Sequence, residues 1–546
     1  MKSRLRAVVA ALVLALAGPA LAQKGPVVEA PAGTVVGKTD GAIRVFKGLP
    51  YAQAPVGPLR WAPPRAAAKW QGARNADQFG PACFQPTPAT PSIYYDGPKP
   101  MSEDCLSLNI WTPPGAKKAP VMVWIHGGSL NTGSSSERLY DGAKLARQGG
   151  IVVVTINYRL GVLGYMAHPG LSAESPDGVS GNYGLLDQIE ALRWVQRNIA
   201  AFGGDPANVT IAGESAGGLS VLYLMAAPSA RGLFAKAIAQ SAYMVSTPPL
   251  KAPAFGENPA EAIGSLVQTR LKAASLADLR AMDAKALTTA AAAAGYAPFG
   301  TIDGKILPRQ LVDTFDRGEQ ARVPVLAGFN SGEIRSLRFL APPLSANAAA
   351  YETTIRERYQ DLAPEFLRLY PASSLEQSVL ASTRDGIYGW TAERMAAKQT
   401  ALGIPAYLYL FDHGYPAADE AGLHAHHASE LPYMFGAAAR TPDLWPKAPV
   451  NAAETRLSDA MIAYWTSFVR TGAPQAKNEP AWPSYGRAAT YMAFVDAPQP
   501  GAHLMPGMYV LNEQVMCRRR AAGDTPWNWL VGLWSSRLPA QAANCR

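Results

Sequence analysis

The stretch Gly213-Glu214-Ser215-Ala216-Gly217 constrains this chain more than any other. It is a G-x-S-x-G pentapeptide. A β-branched run (Val209, Thr210, Ile211) stands before it, and a small-residue run from Ala216 to Val221, able to open a helix, follows. A serine on a sharp strand-to-helix turn needs small flanking residues, because larger side chains would clash across the turn. Such a turn lifts the Ser215 hydroxyl above a sheet. It also aims the Ala216 amide, at a helix N-terminus, toward a place where an oxyanion can form.

The rest of the chain reads as the sheet this turn requires. Val121 to Ile125 and Ile151 to Ile156 are continuous apolar runs, the pattern of strands buried on both faces. Further strands are expected at 33–48, at Glu103 to Trp111, at Ala235 to Gln240, at Val323 to Gly328 and at Ala406 to Phe411. Helical spacing runs through 186–200, through the Ala-rich stretch 250–300, through the charged stretch 350–400 and through 453–471, which ends at Gly472. Phe202 to Pro206 reads as a turn. Buried strands alternating with helices imply an α/β fold: a large, mainly parallel central sheet with helices on both faces. With no internal repeat and no convincing linker, residues 23–546 are expected to form a single catalytic domain. Helical cap insertions are expected around 243–300 and 335–400.

Residues 1–22 have a basic start (Lys2, Arg4, Arg6), an apolar run from Ala7 to Leu16 and Ala20-Leu21-Ala22, which predicts a signal peptide cut after Ala22. No later stretch is apolar enough to span a bilayer, so the expectation is a secreted or periplasmic protein. Removing that leader lowers the formal charge from +9 to +6, a mild excess that slightly favours anionic substrates or surfaces and forms no nucleic-acid stripe. Four cysteines in an exported chain, Cys83, Cys105, Cys517 and Cys545, allow three pairings. Proximity favours Cys83–Cys105 and Cys517–Cys545. No C-x-x-C or nearby histidine pair argues for a metal, and nothing calls for a cofactor.

A serine nucleophile needs a base and an orienting acid, which on such a sheet follow in the order Ser, acid, His at the ends of later strands. Glu333 stands where the strand 323–328 ends, and a loop carrying His424, His426 and His427 follows the next strong strand. Asp303 and Asp412 are rival acids.

With these motifs the chain resembles the type-B carboxylesterases of the α/β-hydrolase superfamily, the group that includes the cholinesterases, over about residues 33–520. The resemblance rests on Phe46-Lys47-Gly48-Leu49-Pro50-Tyr51-Ala52, on Glu103-Asp104-Cys105-Leu106-Ser107-Leu108-Asn109 and on Phe202-Gly203-Gly204-Asp205-Pro206 leading to Gly213-Glu214-Ser215-Ala216-Gly217-Gly218. It implies a Ser215–His427–Glu333 triad: Glu333 matches the family's G-x-N-x-x-E, and His427 stands three before Glu430-Leu431. It implies an oxyanion hole from the amides of Gly128, Ser129 and Ala216, with supporting roles for Glu214 and Ser241, and a small disulfide like Cys83–Cys105. Ser129 stands where the family usually has a third glycine, and Ala242 replaces a usual glycine after Ser241. The function this implies is hydrolysis of a small carboxylic ester through an acyl-enzyme. Lipase action on long acyl chains and a catalytically inactive binding module are the alternatives. Arg335 and Arg338 are either surface charges or a reception for an anionic substrate. The tail past Cys517, with Arg518-Arg519-Arg520, Trp527, Trp529 and Trp534, is either an aromatic strap or a binding surface.

Overall fold

The apolar runs become the centre of one sheet. A computed structural model describes residues 25–545 except Ala89, Asn528 and Trp529; the expected leader and Trp529 lie outside the described residues. The sheet contains β1 (Lys38–Asp40), β2 (Ile43–Pro50), β3 (Ser107–Thr112), β4 (Ala119–Ile125), β5 (Val152–Ile156), β6 (Gly204–Glu214), β7 (Lys236–Gln240), β8 (Val325–Asn330), β9 (Ala406–Phe411), β10 (Thr490–Phe494) and β11 (Pro498–Ala502). Its spatial order is β11-β10-β9-β8-β7-β6-β4-β5-β3-β2-β1. From β10 across to β5 every neighbouring pair is parallel, and the flanking pairs are antiparallel. This is the α/β-hydrolase arrangement.

Successive side chains of a strand point to opposite faces, and β4 shows why its run is apolar without a break. Val121, Val123 and Ile125 join one buried cluster, while Met122 and Trp124 join another on the opposite face. On the first face lie α2 (Tyr183–Asn198), α3 (Ala216–Ala226) and α4 (Trp390–Ala401); on the second lie α1 (Ala143–Gly149) and α5 (Ala452–Thr471). Each fully buried Val, Ile or Leu contributes about 1.5–3 kcal/mol, so an unpaired polar residue in the middle of the β4 run would cost more than most single contacts return. The α5 helix follows its sequence signals closely. The Asn451 side chain accepts from the Glu454 amide at 2.9 Å. Gly472, in a left-handed conformation at φ 82°, closes the other end. Leu457, Met461, Trp465 and Phe468 recur at helical spacing on its buried stripe.

Three sequence expectations need adjusting. The strand read from Glu103 starts only at Ser107. Glu103 is instead drawn into a bidentate pair with Arg60, at 2.7 and 2.6 Å, and Cys105 is tied to Cys83. The turn expected over 202–206 is made by Gly203 alone (φ 91°), and Gly204 already opens β6, with a register shift before Val209. The helical stretch 350–400 is broken by a wide π-turn, Asp385–Gly389, just before α4.

Both favoured disulfides are present, Cys83–Cys105 and Cys517–Cys545. Arg518, Arg519 and Arg520 are each engaged within the chain. Arg518 pairs with Asp361 at 2.7 and 2.6 Å. Arg519 donates to the Trp527 and Leu530 carbonyls at 2.8 and 2.6 Å. Arg520 pairs with Asp313 and Asp316. Trp527 is buried, and its indole N–H donates to the Met244 carbonyl at 2.7 Å. These residues form a strap, not a surface free for ligands. Trp534 is half-exposed. No helix among the described residues is long and apolar enough to cross a membrane.

Candidate active site

The pentapeptide is the junction between β6, ending at Glu214, and α3, starting at Ala216. Ser215 carries the turn at φ 57°, ψ −122°, a conformation that costs an L-residue of order 1–3 kcal/mol and recurs at functional sites. The flanking glycines make it feasible: a Cβ on Gly213 would lie 2.5 Å from the Gly217 carbonyl, and one on Gly217 would lie 2.1 Å from the Ile125 oxygen. The Ser215 amide is held by the Gln240 carbonyl at 2.9 Å. Residues Val209 to Glu214 and Ala216 to Ser220 are all buried except Ser215, which is partly exposed. Among the described residues its hydroxyl has no hydrogen-bond partner.

Glu333 opens a short helical turn, Glu333–Ser336, just beyond β8. It is fully buried. One carboxylate oxygen accepts from Ser241 Oγ at 2.6 Å and from the Asn330 amide at 2.8 Å; the other meets Nδ1 of His427. A carboxylate only accepts, so Nδ1 carries a hydrogen. The two loops are stitched together by the Gly332 amide on the Ala425 carbonyl and Asn330 Nδ2 on the His426 carbonyl, both at 2.8 Å. The rival acids are occupied elsewhere. Asp303 caps the amides of Lys305, Ile306 and Leu307, and Asp412 meets Ser331 and His424. His424 lies between Asp412 and Asp419. His426 is buried, and desolvation pushes its pKa down to about 4.

The imidazole of His427 lies between two carboxylates. Its Nε2 faces the serine turn and stands 3.1 Å from Glu214, the residue before Ser215. Burial opposes charge on the ring, yet Glu214 and Glu333 outweigh it and push the pKa up to about 9. Burial drives Glu214 up to about 8, against the pull of His427. The two groups titrate as a unit. A general base must be neutral, and the raised pKa means the neutral ring appears only at higher pH. The acid limb of kcat/KM is therefore expected above the usual histidine value of about 6.5. Glu214→Gln removes one of the two carboxylates, so the limb should move to lower pH by about one unit, read from a pH–rate profile. An unmoved limb would remove Glu214 from this account.

Behind Glu333 and His427, Glu430 accepts from Gln240 Nε2 at 2.8 Å and Asn330 Nδ2 at 2.7 Å, and Gln240 Oε1 accepts from the Trp465 indole at 3.0 Å. This buried chain ties α5, across the sheet, to the strand ends.

The turn after β4 passes directly over the serine: a Cβ on Gly127 would lie 3.2 Å from Ser215 Cβ. Among the described residues no acceptor takes the amide hydrogens of Gly128, Ser129 or Ala216. Ser129 is exposed and sits at φ 56°, a region glycine occupies freely and serine at a cost of roughly 1 kcal/mol. Ser129→Gly keeps the amide and removes the strain. It is expected to raise stability by about 0.5–1 kcal/mol in urea titrations with activity on p-nitrophenyl acetate held within about threefold. A larger loss of activity would assign the hydroxyl a substrate contact.

A strained serine between a strand and a helix, with a buried carboxylate–imidazole pair beside the residue that precedes it, is a geometry several hydrolase families share. The comparison that decides among them is a family model described as the carboxylesterase family, which matches residues 24–505. The chain belongs to the carboxylesterase family. It is a carboxylic ester hydrolase, as its relatives are. This carboxylesterase is 36% identical to the fumonisin B1 esterase of Sphingopyxis macrogoltabida over 472 residues, covering 83% of this chain and 84% of that one. It is 35% identical to the para-nitrobenzyl esterase of Bacillus subtilis (strain 168) over 470 residues, covering 83% and 91%. Among solved structures it superposes on a thermophilic PNB esterase with a TM-score of 0.76 at 32% identity, covering 89% of this chain and 99% of that one.

Sequence reasoning missed two aromatic residues of this carboxylesterase. Tyr388, in the π-turn, lays its ring against His427 at 5.4 Å and 38°, and Tyr94 approaches the same ring edge-on at 6.2 Å and 80°. A π-turn leaves no clear periodic trace, and Tyr94 lies in an irregular segment, so neither had a signal to find. Of the two arginines past Glu333, Arg335 donates to Gln377 at 2.9 Å and toward the Gly422 carbonyl at 3.3 Å. Arg338 Nη1 is shielded from solvent and has no hydrogen-bond partner among the described residues.

Proposed function

We propose that this carboxylesterase is an exported enzyme that works through a Ser215 acyl-enzyme. Ser215 Oγ attacks the ester carbonyl carbon while His427 Nε2 takes its proton. The amides of Gly128, Ser129 and Ala216 receive the oxyanion, each such donor contributing about 10²–10³ in rate. The tetrahedral intermediate collapses, the carbon–oxygen bond to the alcohol breaks, and the departing alkoxide takes the proton from His427. Water then attacks the acyl carbon with His427 again as base, releasing the acid and restoring Ser215. Glu333 holds the imidazole in the right tautomer and stabilises its positive form. The observation that carries this reading is the buried Glu333–His427 pair, whose other ring nitrogen lies 3.1 Å from Glu214, the residue before a serine in a strained turn. Export is supported by the leader-like residues 1–22 and by two disulfides, which persist in oxidising compartments.

A p-nitrophenyl phosphonate should label Ser215 stoichiometrically, with the adduct found by peptide mass spectrometry, since only an activated serine reacts. Absence of the adduct would favour the inactive binding module. A p-nitrophenyl ester series should peak at short acyl chains; a palmitate optimum would favour the lipase alternative. For acidic esters we assign recognition to Arg338 and not Arg335, because Arg335 is already held by Gln377 and the Gly422 carbonyl. Arg338→Gln is expected to raise KM for a hemisuccinate ester about five- to tenfold while leaving the neutral butyrate unchanged, the scale of one lost charged hydrogen bond. Equal KM changes for both esters would remove the assignment.

A further inference from the structure

The segment closed by Cys83–Cys105 reaches the active site in two places. At its start, Gln85 forms a reciprocal pair with Gly133: Nε2 donates to the Gly133 carbonyl at 2.9 Å, and Oε1 accepts from the Gly133 amide at 2.8 Å. Gly133 ends the turn that carries Gly128 and Ser129. That turn folds back on itself, with the Asn131 and Thr132 amides on the Gly128 carbonyl at 3.0 and 2.9 Å. Gly133 is pressed against the base of the turn, where a Cβ on it would lie 2.7 Å from the Gly127 oxygen.

Nine residues after Gln85, Tyr94 reaches the opposite wall. Its hydroxyl donates to the main-chain carbonyl of His427 at 3.1 Å and lies 2.6 Å from Ser336 Oγ, at the end of the turn that begins with Glu333. Its ring stands edge-on to His426, His427 and Trp445, with centroids at 6.4, 6.2 and 5.7 Å. The segment is held at its far side by Asp96, whose side chain is 4% exposed. Asp96 accepts from the Arg138 amide at 3.0 Å and meets the Arg138 guanidinium and, at 2.8 Å, Lys99. Arg138 continues to Asp443 at 3.1 Å.

The oxyanion turn and the His427 loop are some 300 residues apart in the chain, and they rise from β4 and from beyond β9. Their relative position decides whether the oxyanion and the proton are met at the same instant. Displacements near 1 Å in such a constellation cost up to about 10²-fold in rate. We propose that the disulfide-closed segment is a brace that fixes the oxyanion turn and the histidine loop relative to each other, with Gln85 and Tyr94 as its two positioning residues. This rests on the proposed triad and extends it. Neither residue needs to touch the ester. Gln85 acts through the Gly133 backbone, and Tyr94 through the His427 carbonyl and the Ser336 turn.

The test uses Tyr94→Phe, which keeps the ring and its packing and removes the hydroxyl, Gln85→Met, which keeps the length and removes both hydrogen bonds, and the double variant. Hydrolysis of p-nitrophenyl butyrate is followed beside wild type and Ser215→Ala. Each single variant is expected to lose about tenfold in kcat, with KM within about twofold and Tm within about 2 °C of wild type. The double variant is expected to lose clearly less than the product of the two, because both loosen the same coordinate. The proposal is overturned by a Tyr94→Phe enzyme with wild-type kcat, by losses appearing in KM or Tm in place of kcat, or by losses that multiply. An active Ser215→Ala enzyme in the same assay would remove the triad reading itself, a separate failure with its own readout.

Discussion

Ser215→Ala is expected to reduce kcat for p-nitrophenyl butyrate by about 10⁶, to within roughly 10³–10⁴ of the uncatalysed rate. The residual comes from what alanine leaves in place. The turn is imposed by Gly213, Gly217 and the Gln240 carbonyl, not by the serine hydroxyl, which has no partner among the described residues. Alanine at φ 57° bears the same backbone cost as serine. KM and Tm should therefore stay close to wild type, so the loss cannot be attributed to misfolding. Steady-state rates, thermal melting and phosphonate labelling on the same preparation check all three expectations. Retained activity would show that another group attacks the ester.

Glu333→Gln should be nearly as damaging, lowering kcat by about 10⁴. The reason lies in what each carboxylate oxygen accepts. Oε1 takes two hydrogen bonds, from Ser241 Oγ and the Asn330 amide, so an amide placed here keeps its carbonyl oxygen on that side. Its NH₂ group then faces His427 Nδ1, where the carboxylate had accepted. Nδ1 is forced to accept, the ring hydrogen moves to Nε2, and the only nitrogen facing the serine turn can no longer take a proton. The swap also removes a charge that raises the His427 pKa. Raising the pH therefore cannot restore the rate, because the fault is in the tautomer and not in the protonation state. Activity recovering to wild type at pH 9 would contradict this account.

The residues that define the site lie where the chain has regular structure. Ser215 is legible because a β-branched run precedes it and small residues follow. Glu333 and the loop carrying His424, His426 and His427 are placed by the continuous apolar strands β8 and β9, and His427 is singled out in that loop only by the family resemblance. Helix α5 is legible within a residue because its apolar residues recur at helical spacing and Gly472 marks its end. What stayed hidden depends on contacts between irregular segments. Tyr94 meets a carbonyl 333 residues away, and no local pattern encodes such a pairing. Arg60 draws Glu103 out of an otherwise convincing strand. Tyr388 reaches His427 through a π-turn whose extra residue erases the 3.6-residue period. The fate of Arg335 likewise follows from Gln377 and Gly422, which only the folded chain brings near.

The Gln240 side chain has a consequence for how this enzyme comes into being. Its amide is oriented by a donor on one side, Trp465 of α5, and an acceptor on the other, Glu430 beside the histidine loop, while its own carbonyl holds the serine turn. Trp465 arrives from the opposite layer of the molecule and from a segment synthesised after Ser215, Glu333 and His427. Until α5 docks, the buried side-chain oxygen of Gln240, the residue whose carbonyl anchors the serine turn, lacks its partner. Catalytic competence is thus expected to come late. Esterase activity then reports closure of the two-faced core, and a nascent chain that has emerged only past His427 is expected to be inactive.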